Sequence, residues 1–363
     1  MKRLLVSLIA IITAGFAFSG GVHAASSCLT PDNNVTITTC FYDLTASPST
    51  TQSPASAVLD GGIFRVPTQN GDLGLGTIVG TGVFQPFVRI QEQANGSFTE
   101  NGIESGFNTS GDSGVGQAAK LLDNHDAGGT NWNHAIRLSD ISKVTVCDGG
   151  TATGTNCKQY YEFLLDTNEQ GNTKNSGISL DEFKVFTAGT PDIIASTGAD
   201  DTKGKTNFQL TGAALRYDMD ASPGGDASIL MDYTNFSGSG NGVDLQALVP
   251  VSNFAGVATD SYVYLYSKFG WTGTQCQVSG NTLSPCLTPD GTSGAGVSIG
   301  TVKTTPAGSL NFAVDAGFEE WSFRNAKMGT GLPPTGLPVP ATAILFLIGL
   351  AGLGFSRRQF TEV

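Results

Sequence analysis

The sequence predicts an all-β fold, an antiparallel β-sandwich of jelly-roll-like form, on three observations. Runs rich in β-branched and aromatic residues recur along the chain. Glycine, asparagine, aspartate, serine and proline bound those runs, and no stretch of helical period rises above the pattern. With 48 glycines and 14% charged residues, the composition suits short strands joined by many turns. A strand that is apolar on one face must hide that face. Two sheets packed face to face are the simplest way to hide many such strands.

In chain order the runs are VTITTCFYDL, GTIVGTGVFQPFVRIQ, KVTVC, QYYEFLLD, ISLDEFKVF, ASILMDY, SYVYLYSKFG and LNFAVDAGFEEWSF. In SYVYLYS the tyrosines alternate with Val263 and Leu265, which predicts one buried sheet face and one partly wet face. Short helices are expected near 116–122 and 138–142. All the strands fall within 25–328, which forms one large β region or two smaller domains, since single all-β domains can exceed about 200 residues.

Both ends read differently. Residues 1–24 have the parts of a secretory signal helix: Lys2 and Arg3, an apolar middle from Leu4 to Phe18, and Val22-His23-Ala24 as a small-residue cleavage site. Residues 329–340 form a linker rich in proline and glycine. Residues 341–363 hold an apolar helix that ends at Arg357 and Arg358. Counted from Leu337, the apolar stretch reaches the roughly 20 residues that cross a bilayer core. Two arginines directly after it hold that end in the cytoplasm, so the chain before it is exported.

Export permits disulfides, and the six cysteines fall into close pairs: Cys28 with Cys40, Cys147 with Cys157, Cys276 with Cys286. Pairing by proximity is a preference among the connectivities that six cysteines allow. Zinc is disfavoured, because no CxxC occurs and histidine is scarce. The formal charge of −12 becomes more negative once the basic ends are removed. Such a surface repels phosphates and anionic headgroups, which excludes nucleic acid as a partner and favours solubility.

Leu337-Pro338-Val339-Pro340-Ala341, the apolar helix and the pair Arg357-Arg358 together resemble the PEP-CTERM type of sorting tail, in its VPLPA variant. That resemblance implies recognition by exosortase, a membrane-embedded processing enzyme of Gram-negative bacteria that make exopolysaccharide. The helix would then lodge in the inner membrane only transiently. GTGVFQPFVRIQ, YYEFLLDTN, ISLDEFKVF, SYVYLYSKFG and DAGFEEWSF are similar to segments of a group of secreted PEP-CTERM proteins, which implies location and strand-rich architecture rather than a mechanism. An alternative motif overlaps the tail. Leu332-Pro333-Pro334-Thr335-Gly336 fits the LPxTG signal of sortases, though proline-rich linkers produce so short a motif by chance.

Candidate chemistry in the body is sparse. LLDTNEQGNTKNSGISLDEF begins like an EF-hand loop, with Asp166, Asn168 and Gln170, and ends like one, with Asp181 and Glu182. The insert from Asn172 to Ser176 breaks the EF-hand spacing. A polar turn-rich hairpin loop is therefore the preferred reading, with Ca2+ as the candidate ligand to set against it. YDMDASPGGDASILMDY brings Asp218, Asp220, Asp226 and Asp232 close in sequence, as in a solvated hairpin. Glu319 and Glu320 are adjacent on a strand and point to opposite faces, a poor glycosidase pair. His134 with Asp140 lacks a nucleophile signature, and His125 lies in a polar loop. Tyr262, Tyr264, Tyr266 and Trp271 read as sheet packing before they read as a sugar-stacking platform. No catalytic residue is assigned. The sequence predicts a non-enzymatic protein of the cell surface or extracellular matrix, associated with exopolysaccharide or biofilm. The alternative is a secreted polysaccharide-binding lectin or glycoside hydrolase.

Overall fold

The computed structural model describes residues 25–29, 39–45, 56–66, 84–91, 102–111, 122, 132–147, 154–168, 176–197, 208–221, 227–232, 243–270, 276–279, 282–287, 293–294, 297–298, 304–305, 308–309, 312–314 and 317–324. The leader, the linker and the apolar tail lie outside them. In chain order the strands begin with β1 (Ala25–Leu29), β2 (Thr39–Asp43), β3 (Ser56–Leu59), β4 (Gly62–Arg65), β5 (Phe84–Ile90), β6 (Glu104–Phe107), β7 (Ile136–Arg137) and β8 (Lys143–Val146). They continue as β9 (Lys158–Asp166), β10 (Gly177–Ala188), β11 (Ser196–Thr197), β12 (Gln209–Leu210), β13 (Ala214–Asp218), β14 (Ala227–Asp232), β15 (Leu245–Pro250) and β16 (Tyr262–Phe269). Last come β17 (Cys276–Ser279), β18 (Thr282–Leu287), β19 (Ser293–Gly294), β20 (Val297–Ser298), β21 (Thr304–Thr305), β22 (Gly308–Ser309) and β23 (Glu319–Arg324).

The fold is mostly β, with no α-helix among the described residues. One 7-stranded sheet has the order β3-β4-β15-β9-β23-β5, with β8 also on β9. The other, 8-stranded, has the order β1-β2-β14-β10-β16-β6, with β13 also on β10 and β7 on β16. Pairing is antiparallel throughout these two sheets except where β14 meets β2 in parallel. We refer to them as the β9 sheet and the β10 sheet. Each strand-like run of the sequence contributes a strand. The hairpin β3–β4 adds one that the run analysis passed over, closed by Asp60 and Gly61 at φ 44° and 77°. Aspartate then glycine at positive φ is the chemistry a tight hairpin turn demands.

One buried cluster draws on both sheets, and Phe183 of β10 lies near its middle. Its ring packs against Phe64 of β4 at 5.4 Å, Phe163 of β9 at 6.0 Å and Trp321 of β23 at 5.0 Å. Edge-on and tilted pairs of this kind add about 0.5–1.5 kcal/mol each beyond their buried area. Two polar bonds also join the sheets: Trp321 Nε1 donates to Ser267 Oγ at 2.9 Å, and Tyr217 Oη donates to the Leu59 carbonyl at 2.6 Å.

Strand β10 shows how the sequence meets that core. Ile178 and Leu180 belong to the cluster, and so do Phe183 and Val185, although a regular strand would turn the second pair away. The register against β16 slips between Leu180 and Glu182, so a bulge takes up one residue and returns the apolar side chains to the same face. Asp181 and Glu182 therefore mark a parity switch. The sheet's edge gaps are closed by asparagine. Asn108 donates to the Val263 carbonyl at 2.8 Å and accepts from Leu265 N at 2.7 Å, filling the gap between β7 and β6 along β16. Asn133 does the same for β5, accepting from Arg89 N at 2.8 Å and donating to the Arg89 carbonyl at 3.2 Å.

Three sequence expectations change here. Asp166 ends a strand of the β9 sheet and Asp181 lies in the β10 sheet, so the stretch between them crosses between sheets and is no hairpin. Strands β13 and β14 do not pair with each other; both lie along β10, one beyond the other, as a single interrupted strand. In SYVYLYS both faces are dry from Val263 onward, and Tyr262 alone of its tyrosines stays partly exposed. Val263 and Leu265 enter the shared core, while Tyr264 and Tyr266 join a second cluster with Phe107, Phe186, Ile193 and Phe208. Of the two expected helices, 138–142 appears as the short 3-10 turn Leu138–Asp140, and 116–121 lies outside the described residues.

Candidate functional site

The polar groups that could carry function sit on the sheet faces turned away from the shared core. On β9, alternation sends Tyr161, Phe163 and Leu165 into the core and leaves Glu162 on the other face. Glu162 is fully buried there and anchors a line across adjacent strands. Gln246 of β15 donates Nε2 to Glu162 Oε1 at 2.5 Å, and Arg65 of β4 donates Nε to Gln246 Oε1 at 2.5 Å. From β23, Arg324 reaches Glu162 with Nη2 at 3.1 Å and with Nε at 3.1 Å. Burial pushes the Glu162 carboxyl up; Arg324, Gln246 and Arg65 oppose that shift without cancelling it.

Further along the same sheet the acidic groups converge. Glu320 lies opposite Asp166 in register and accepts from Arg89 Nε at 2.7 Å, while the Arg89 guanidinium sits 3.7 Å from the Trp132 ring centroid and 4.1 Å from that of Phe318. Asp244 accepts from Thr167 N at 2.7 Å and from Thr167 Oγ1 at 2.8 Å. Its carboxyl is held well above the usual range, first by burial and then by the charge of Asp166.

On the β10 sheet, Lys184 Nζ lies 3.2 Å from Glu182 Oε2 and 3.2 Å from Asp218 Oδ2. Glu182 is two residues away on the same strand, and Asp218 is the direct register partner on β13. Burial pulls the Lys184 ammonium down, but the two carboxylates outweigh it and the net shift is upward. Tyr266 flanks Lys184 on the other side, so this ion trio borders the second aromatic cluster.

The predicted site residues are placed as follows. Cys147 and Cys157 form a disulfide one step beyond the last β8–β9 pair, Val146 with Lys158. Cys40 is disulfide-bonded, and the residue facing it in register is Cys28. Cys276 faces Cys286 across β17 and β18. Of the calcium candidates, Asp166 ends β9, Asn168 lies two residues beyond it, Gln170 lies outside the described residues, and Asp181 and Glu182 belong to the other sheet. Asp181 accepts from Ser179 at 2.7 Å and from Ser228 at 2.8 Å. No group of three or more histidine, cysteine, aspartate or glutamate side chains is placed to hold a metal among the described residues.

Backbone N–H groups hold part of the Asp218 cluster. Asp220 N donates to Asp218 Oδ1 at 3.0 Å, and Ala227 N donates to Asp220 Oδ1 at 2.7 Å. Asp232 accepts from Ser176 at 3.0 Å, and Asp226 is outside the described residues. Asp140 accepts from Arg137 N at 2.9 Å, and the half-buried His134 donates its backbone N–H to the Phe87 carbonyl. The sorting residues Leu337, Pro338, Val339, Pro340, Ala341, Arg357 and Arg358, the pentapeptide 332–336, His125 and Trp271 all lie outside the described residues.

Sequence reasoning passed over Glu162, Gln246, Arg65, Arg324 and Asp244. Their partners are 84 to 181 residues apart in the Glu162 line, so no local motif signals them. Comparison with family models, curated proteins and solved structures finds no match.

Proposed function

We propose that this chain is an exported, non-enzymatic protein of the cell surface or extracellular matrix, associated with exopolysaccharide, and that a C-terminal exosortase-type signal processes it. The observation that carries the proposal is the cysteine chemistry. Cys147 and Cys157 are oxidised, no cysteine is free among the described residues, and structural disulfides persist in oxidising compartments. Each cysteine pair clips a local hairpin, which suits a β domain outside the cell. In this reading the two sheets form a jelly-roll-like sandwich around the Phe183 core, and their far faces are filled by internal ion pairs and aromatics. The negative charge keeps the molecule soluble and away from anionic surfaces.

Mass spectrometry of the mature chain, isolated from its native envelope, tests this. A new N-terminus at Ala25 and a C-terminus near 338–341 are expected. An intact apolar tail on protein recovered from the cytoplasm overturns the proposal, and a terminus at Thr335 reassigns the processing to a sortase. Calcium enters as a candidate ligand on the Asp166 and Asn168 side of the crossover. Calorimetric titration of wild type and Asp166→Ala decides it: heat in wild type that the variant loses supports the ion, and no heat in wild type removes it.

A further inference from the structure

We propose that Lys184 and Asp218 condense into an intramolecular amide cross-link between β10 and β13, with Glu182 as the proton relay. The inference is independent of where the protein resides, because it rests on the geometry of the β10 sheet. Three features of that geometry carry it. The amine and the carboxyl are direct register partners on neighbouring strands, so their side chains rise from the same face. Nζ is 3.2 Å from Asp218 Oδ2, within reach of the carboxyl carbon after a small rotation of a flexible side chain. A second carboxylate, Glu182, touches the same ammonium at 3.2 Å.

Lys184 is 3% exposed and Glu182 is 1% exposed, so the amine and the relay are shielded from bulk water, while the Asp218 side chain, 14% exposed, leaves a path for the released water. The two carboxylates favour the ammonium, so the reaction runs through the minor neutral-amine form, which Glu182 generates by taking up one proton. The steps balance. Glu182 takes a proton from the Lys184 ammonium, and the freed amine attacks Cγ of Asp218. Negative charge gathers on Asp218 Oδ1, which already accepts the Asp220 N–H at 3.0 Å and is held by it through the addition. Glu182 returns its proton, and the second ammonium proton follows, to Oδ2. That oxygen leaves as water. An ammonium and a carboxylate become a neutral amide and one water, with no oxidant, reductant or cofactor required.

The alternative fate of these groups is a permanent salt bridge, and the mass of the protein separates the two. Intact mass of the purified chain, with its termini mapped and its disulfides fully reduced, is expected to fall by one water below the mass of the sequence between those termini. Peptide mapping is expected to recover a branched peptide joining the Lys184 and Asp218 segments. Lys184→Arg keeps a cation in place but cannot condense in this way, and Glu182→Gln keeps the shape without the relay. Both variants are expected to fold with native near-ultraviolet circular dichroism and to show the full mass of the sequence between their termini. A wild type at that full mass overturns the proposal, and so does a water loss that persists in Lys184→Arg.

Discussion

Two patches, one on each sheet, are kept dry in opposite ways. Around Tyr264 and Tyr266 the β10 sheet is covered by aromatics: Phe208 stacks on Tyr266 with centroids 3.8 Å apart and also packs against Phe107 and Phe186. The β9 sheet instead buries charge, neutralising Glu162 with Arg324 and linking it through Gln246 to Arg65. Apolar cover tolerates imperfect geometry and loses stability in proportion to the volume removed. A buried ionic line tolerates shape changes poorly but accepts a neutral isostere, because its cost lies in desolvation and in unpaired groups.

That contrast can be broken most sharply at its two centres. Phe208→Ala removes a ring shared by three other aromatics and is expected to cost about 3–5 kcal/mol, read as a shift in urea midpoint. Glu162→Ala is expected to cost about 3–5 kcal/mol as well, because it strands Arg324 beside an empty site. Glu162→Gln separates the mechanisms: it keeps an acceptor for Arg324 and Gln246 and is expected to cost under about 1 kcal/mol at neutral pH. A large loss in the Gln variant would show that the charge itself, rather than its partners, holds this face.

Asn108→Ala follows in size. It removes one side chain that serves Val263 and Leu265 together, leaving a buried carbonyl and a buried amide without that partner. An expected loss of about 2–4 kcal/mol would be accompanied by faster amide exchange at Leu265. Retained protection at Leu265 would mean that the gap between β7 and β6 closes without the asparagine.

How much of this was legible beforehand differs by level. Strand positions could be read from ISLDEFKVF or SYVYLYSKFG because alternation is a local property. Even the bulge left a trace, since Ile178 and Leu180 change parity with Phe183 and Val185. The Asp60-Gly61 turn was equally readable. Sheet membership was not: nothing near Asp166 says that the next strand joins the other sheet. For the same reason the acidic stretch from Asp218 to Asp232 looked like a hairpin, although it is an interruption along one edge of β10. The disulfide Cys147–Cys157 was legible by proximity. The Glu162 line was hidden by sequence separation, and the dryness of the tyrosine face depended on distant Phe208.

The smallest expected effect is one of pH, and it sharpens the comparison from the charged side. Asp244 is buried and its carboxyl is raised well above the usual range, by burial first and Asp166 second. A carboxyl raised in the folded state gives its stabilising contribution in full below its unfolded value, and loses it as pH climbs through the folded value. Wild type therefore carries a penalty at neutral pH that is absent in acid. Asp244→Asn keeps an acceptor for Thr167 N and Thr167 Oγ1 and does not titrate. Compared with wild type, its urea midpoint is expected to gain steadily as the buffer moves from about pH 4 to pH 8. Tyr266→Phe, on the aromatic face, is expected to track wild type across the same range, because it alters no carboxyl. Parallel curves for Asp244→Asn and wild type would show that Asp244 stays ionised in the fold, and that the charged sheet hides its carboxylates at no cost in neutral solution.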